Sequence, residues 1–269
     1  MKRNVSMMVV GVLIAALVCG AAQATPNIEY DQNVTPDVIF GSGNDNGGFT
    51  TDRRNGIELG LRGKLRFDET GQPQNTFNSN GDGTYTFDPG VAVGGWSANT
   101  PEWSFEWSIN VDYLDVTGKN LIDFEYYLEI DNDPTAATNF LSFDPMFILP
   151  PDYFDHAIGD NTTGNGGGTV ATSNTEYVNL LIANNVAQNS WNYDFFDSGT
   201  WPFDPTVGGA RYDIRLSVFS VGSSGTELAQ TQIAILTNAV PEPVSMIFFG
   251  TGLVGVAGLV TRRRMRKVA

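Results

Sequence analysis

The residues able to do chemistry are few in kind, and each carries a limit. His156 is the single histidine, so a Ser-His-Asp relay would have to run through it. No nucleophile-elbow pattern accompanies it, and Tyr153-Phe154-Asp155-His156 reads as a loop. The single cysteine, Cys19, falls in the first two dozen residues. With one histidine and no other thiol, the usual zinc and copper ligand sets are missing. Carboxylates are plentiful: Asp112, Asp115, Asp123, Glu125 and Glu129 would suit paired acid and base work on a glycosidic bond. They fall on the polar side of alternating segments, where strand periodicity alone would put them. No catalytic residue is assigned.

Two ligand classes fit better. Asn78-x-Asn80-x-Asp82-Gly83 opens like an oxygen-ligand loop for Ca²⁺, yet its twelfth position is Pro89 where a closing acid belongs. Asp131-Asn132-Asp133 is a second acidic cluster, equally an Asx turn before Pro134. Ca²⁺ is therefore a possible cofactor with no metal-ligand residue assigned. Trp96, Trp191 and Trp201 lie in or near loops among Asn and Asp, as sugar-stacking rings would, although large aromatics in an all-β domain usually form core. Gly166-Gly167-Gly168 lacks the lysine and helix of a phosphate-cradling loop.

The elements that must position these side chains read as strands. From 57 to 67 the odd positions are Ile57, Leu59, Leu61, Gly63, Leu65 and Phe67, against Glu58, Arg62, Lys64 and Arg66. From 103 to 113 Trp103, Phe105, Trp107 and Ile109 alternate with Ser104, Glu106, Ser108 and Asn110. From 122 to 130 Ile122, Phe124, Tyr126, Leu128 and Ile130 oppose Asp123, Glu125 and Glu129. Period two predicts one buried and one wet face, the pattern of antiparallel sheets. Further strands are expected at 83–87, 191–196, 211–219 and 228–236. Gly-, Asn-, Asp- and Pro-rich loops join them. One helix is expected after Ser173, where Glu176 completes a capping pattern and Tyr177, Leu180 and Leu181 share a face; Asn184-Asn185 ends it. Phe-Asp-Pro recurs at 87–89, 143–145 and 203–205 as a strand-to-turn device. The fold class is all-β: an antiparallel β-sandwich, jelly-roll or Ig-like, with one short helix.

The two ends differ from this body. Lys2 and Arg3, an apolar run over 5–18 and Ala22-Gln23-Ala24 follow the signal-peptide plan, with cleavage after Ala24. Lipoprotein processing at Cys19 is disfavoured, since Ala16-Leu17-Val18 lacks the small residue before it. At the other end Pro241-Glu242-Pro243 precedes an uncharged stretch over 244–261, closed by Arg262, Arg263, Arg264, Arg266 and Lys267. At about 1.5 Å per residue, that stretch spans roughly the hydrocarbon core of a bilayer. A transmembrane helix is expected there, with the basic cluster on the cytoplasmic side. Three parts follow: a signal peptide at 1–24, an extracellular domain at 25–239 and a terminal segment at 240–269.

Between the ends stand eight basic and 29 acidic residues, a net of −21. Such a charge repels nucleic acid and anionic headgroups, and excludes nucleic-acid binding. The domain has no cysteine with which to staple itself and must stand on its core.

The terminal segment resembles the PEP-CTERM sorting signal of Gram-negative bacteria in all three parts and in their order. The resemblance covers about a tenth of the chain. It implies that Pro241, Glu242 and Pro243 are recognised by an exosortase, a membrane transpeptidase. The chain would be held at the inner membrane before processing, then passed to the cell surface or extracellular matrix. The family is associated with exopolysaccharide and biofilm, so exopolysaccharide is an implied partner. Thr117-Gly118-Lys119-Asn120-Leu121, Asp131-Asn132-Asp133-Pro134 and 185–192 also resemble the bodies of such proteins, which names no activity.

Overall fold

Trp103, Phe105, Trp107 and Ile109 point into one core because every second residue of a strand faces the same way. The computed structural model describes residues 26–146, 155–222 and 225–239. In it these four side chains are at most 1% exposed. Eleven strands are formed among the described residues: β1 Ile28–Gln32, β2 Phe49–Arg54, β3 Ile57–Leu65, β4 Thr84–Phe87, β5 Trp103–Asn110, β6 Phe124–Asp131, β7 Phe140–Phe143, β8 Ala157–Gly159, β9 Val186–Trp191, β10 Arg211–Ser220 and β11 Glu227–Thr237. The expected signal peptide, the tail at 240–269, and Tyr153 and Phe154 lie outside the described residues. No described helix is long and apolar enough to cross a membrane.

The strands form two sheets. One has the order β1-β2-β3-β5-β9-β8, the other β4-β11-β10-β6-β7. Every pairing is antiparallel except β4 with β11, which is parallel from Thr84↔Ala234 to Phe87↔Thr237. The second sheet is therefore mixed, a correction to the wholly antiparallel expectation. A hydrophobic cluster draws on both sheets, with Leu59, Leu61 and Trp107 from one and Leu128, Ile214 and Leu216 from the other. Trp103 packs at 4.9 Å from Tyr193 and 6.0 Å from Phe203 between ring centroids. Edge-to-face pairs of this kind add about 0.5–1.5 kcal/mol each beyond area burial. Asp52 of β2 ties the sheets together: its buried carboxylate accepts from Arg54 Nε at 2.6 Å and from the backbone N–H of Gln230 in β11 at 2.8 Å.

The helix α1, Asn174–Ala183, begins where Ser173 Oγ accepts from Glu176 N at 3.2 Å, and Asn184 caps its end. The Glu176 carboxylate reaches back one residue further than a capping box requires, to the N–H and hydroxyl of Thr172 at 2.7 and 2.6 Å. Tyr177 and Leu181 are the buried face, with Leu180 packed beside them. Phe87 and Phe143 are the last residues of β4 and β7, as the Phe-Asp-Pro recurrence predicts, but Phe203 ends no strand.

The strand expected at 191–196 is displaced. β9 starts at Val186 and stops at Trp191, and Tyr193–Phe195 forms a 3-10 turn. The Asn192 side chain accepts from Asp194 N and so starts that turn, while its amide group donates to Pro101 and Trp103 carbonyls. Strands β1, β2, β7 and β8 are short or lack alternation, which hides them from a periodicity reading.

Candidate functional site

Alternation in β3 and β5 also brings polar side chains together on the outer face of the six-stranded sheet. The register pairs Arg62 with Glu106 and Lys64 with Ser104, and Glu106 with Ser190 of β9. This face was expected to be wet, and it is buried: Glu58, Arg62, Lys64, Ser104, Glu106, Ser108 and Asn110 are at most 2% exposed. The cover is the segment 33–47. Its backbone satisfies the sheet's side chains, with Gln188 Nε2 donating to Asp37 O and Ile39 N donating to Gln188 Oε1, each at 2.8 Å. Arg62 donates to the carbonyls of Asp45 and Gly47 at 2.9 and 2.5 Å. Its guanidinium lies 4.1 and 4.0 Å from the ring centroids of Phe49 and Phe77. Buried polar groups persist only when paired, and here a loop supplies the partners.

Where the cover ends, a pocket of about 160 Å³ opens, lined by Phe40, Asn44, Lys64, Arg66, Trp96, Ser104, Glu106 and Ser190 among others. That is room for about five waters or one small polar ring. The Glu106 carboxylate holds Arg62 at 2.5 Å through Oε2 and has Lys64 Nζ 3.5 Å from Oε1. Lys64 also donates to Asn44 Oδ1. Burial pulls the Lys64 ammonium below the usual lysine range, and Glu106 opposes the shift. Ser104 and Ser190 hydroxyls stand 3.2 Å apart. At the mouth Trp96 is 56% exposed, held edge-to-face by Phe67 at 5.2 Å and by the tilted ring of Phe195 at 5.1 Å. The Arg66 guanidinium lies 5.6 Å from the Trp96 ring. Chemically the pocket offers an aromatic platform, two cations, one carboxylate and two hydroxyls.

The residues singled out from sequence scatter elsewhere. His156 lies in a loop just before β8, as read, but it is fully buried, its Nε2 is 2.7 Å from Pro145 O, and Trp107, Tyr177 and Trp191 surround its ring at 5.4, 6.0 and 5.6 Å. Asp112 is not on a wet face. It is 3% exposed and accepts from the amides of Val116, Thr117 and Gly118. Burial opposes its ionisation, but these donors hold it below the usual carboxylate range. Asp115 is exposed, and Asp123 is also exposed, accepting from Asn120 N at 3.0 Å. Glu125 and Glu129 share an open groove on the outer face of the five-stranded sheet with Tyr127, Phe219 and Glu227, and Glu129 pairs with Arg215 at 3.0 Å. Trp191 and Trp201 are core residues, 3% and 5% exposed.

The oxygen-rich turns act as loop staples. Asp82 accepts from the N–H and hydroxyl of Thr84, and Asn80 donates to Thr84 and Thr86. Asp131 accepts from Asp133 N and Asn139 N. Among the described residues no three His, Cys, Asp or Glu side chains converge as a metal-holding group. An Asp-x-Thr staple recurs at Asp68, Asp82, Asp133, Asp160 and Asp204, each accepting from the threonine two residues on. The repeat is visible in the sequence and accounts for five of its many acids. The Trp96 pocket, by contrast, is signalled only by three cations at 62, 64 and 66 in a chain segment otherwise poor in them.

Comparisons with protein-family models, with curated proteins and with solved structures found no match for this chain.

Proposed function

We propose that this chain is an exported protein of the cell surface or extracellular matrix, sorted by an exosortase-type transpeptidase and associated with exopolysaccharide. One observation carries the reading: Pro241-Glu242-Pro243, an uncharged span and a basic end stand in that order. β11 ends at Thr237, so the sorting motif follows the last strand within a few residues and leaves no room for a further domain between them. The role is non-enzymatic. The displayed part is a β-sandwich of the Ig-like rather than the jelly-roll kind. The run β3-β5-β9-β8 follows the order A-B-E-D, and β11-β10-β6-β7 follows G-F-C-C′. Fold likeness names no activity.

The test is the mass and location of the mature protein in its own cells, with and without alanine at Pro241, Glu242 and Pro243. Loss of the tail in the wild type and its retention in the variant is the expected outcome. An intact tail in both, with the protein kept in the inner membrane, overturns the sorting reading and leaves an anchored ectodomain.

A second reading is a secreted glycan-binding module. It is favoured by the half-exposed Trp96 beside a pocket of hydroxyl and charged groups, the combination that orients a sugar ring over an aromatic face.

A further inference from the structure

We propose that the Trp96 pocket binds a carboxylate-bearing sugar residue of an acidic polysaccharide, with Trp96 as the stacking platform and Arg66 and Lys64 as the partners of its carboxylate. The proposal rests on the glycan-binding reading and names the class of sugar.

The first argument is the pairing of the cations. Seven of the eight basic residues between the two ends lie within 4 Å of a carboxylate: Arg53, Arg54, Arg62, Lys64, Lys119, Arg211 and Arg215. Arg66 is the exception among the described residues. In a segment with 29 acids, an unpaired guanidinium is the one strong, unsatisfied anion partner left. It lies 5.6 Å from the ring centroid of the exposed Trp96, close enough for the two to engage one sugar ring together.

The second argument is the floor. Lys64 stands two residues before Arg66, about 7 Å along extended backbone. Its ammonium has three donors and gives one to Asn44 and one, at 3.5 Å, toward Glu106. The third is free for a ligand. Arg62 already neutralises Glu106 at 2.5 Å, so Lys64 and Arg66 leave the lining cationic, which suits a carboxylate. Ser104 and Ser190 hydroxyls, 3.2 Å apart, pair with sugar hydroxyls.

The third argument is size. A cavity of about 160 Å³ takes one ring and not a chain, so the occupant is a terminal or side-branch residue. At physiological ionic strength fields fall off over about 8 Å, so acids of the domain farther than that from the pocket are largely screened and the lining decides binding.

Calorimetric titration of the purified full-length chain tests this with three probes: a glucuronate-terminated oligosaccharide, its glucose-terminated counterpart and acetate alone. Saturable binding of the first, weaker by about ten-fold or more for the second and third, is expected. Trp96→Ala and Arg66→Gln should each abolish it with the melting temperature lowered by no more than about 4 °C, since neither side chain is buried. Equal binding of the neutral and acidic oligosaccharides overturns the proposal and keeps the glycan reading. Binding of neither overturns both. Acetate binding as tightly as the acidic oligosaccharide, or binding that survives both substitutions, also overturns the proposal.

Discussion

Lys64 and Glu106 meet diagonally across neighbouring strands, with Nζ 3.5 Å from Oε1, in a buried layer. Glu106 also neutralises Arg62, which is fully buried. Removing one partner of such a buried pair leaves the other charge without compensation, at a cost of about 3–5 kcal/mol. Glu106→Gln is therefore expected to destabilise the domain by that amount in urea unfolding followed by fluorescence. A loss under about 1 kcal/mol would mean that the carbonyls of Asp45 and Gly47 suffice for Arg62 without the carboxylate.

His156 stands in a loop, as its sequence suggests, yet it is a core residue. Its ring fills a slot between Trp107, Tyr177 and Trp191, and Nε2 serves the Pro145 carbonyl. His156→Ala should lose roughly 3 kcal/mol through the cavity and the orphaned carbonyl, measured by chemical denaturation. Binding at the Trp96 pocket should be unchanged. A stable His156→Ala protein that has lost binding would contradict the structural role.

The alternation at 57–67 and 103–113 locates β3 and β5 and their core faces, because period two leaves only one way to hide Trp103, Trp107, Leu59 and Leu61. The same alternation misjudges the opposite face. Glu58, Arg62 and Glu106 are dry because segment 33–47 lies over them, and that segment binds through backbone carbonyls and amides, which no residue pattern announces. The pocket fails for a related reason. Lys64 and Arg66 are two residues apart in sequence, but Trp96 and Ser190 reach them only through the register of β5 with β9 and the loop before β5. The Asp-x-Thr staples, by contrast, are local and wholly present in the sequence.

The tryptophans divide into two kinds, and their alanine variants should divide likewise. Trp191 is 3% exposed and packs against Phe105, Trp107 and Phe143. Its replacement should cost about 3–5 kcal/mol. Trp96 rests on Phe67 and Phe195 and is more than half exposed, and its replacement should cost less than about 1 kcal/mol. Thermal unfolding of both variants checks the contrast. A large loss at Trp96 would make it a structural ring and remove the platform from the pocket.

The Asp-x-Thr staples set the acid limb of stability. The hydroxyl and amide of the following threonine hold Asp82, Asp133, Asp160 and Asp204 below the usual carboxylate range, and the Gln72 amide leads the same effect at Asp68. A carboxyl whose folded pKa is depressed contributes stability that is present above its unfolded value, about 3.9, and lost as pH falls through the folded value. Urea midpoints should thus be flat with respect to these groups above about pH 5 and fall steadily below about pH 4. Valine at Thr84, Thr162 and Thr206 removes the hydroxyl donors and keeps the β-branched shape, so the acid limb should flatten while the neutral midpoint drops modestly. Buried Glu58 works in the opposite sense. Burial raises its pKa despite Thr35 and Arg53, so its contribution is present at low pH and lost as pH rises through the raised value. Glu58→Gln should therefore leave the acid limb in place. If the valine variants kept the wild-type slope below pH 4, the acid sensitivity would not come from these turns.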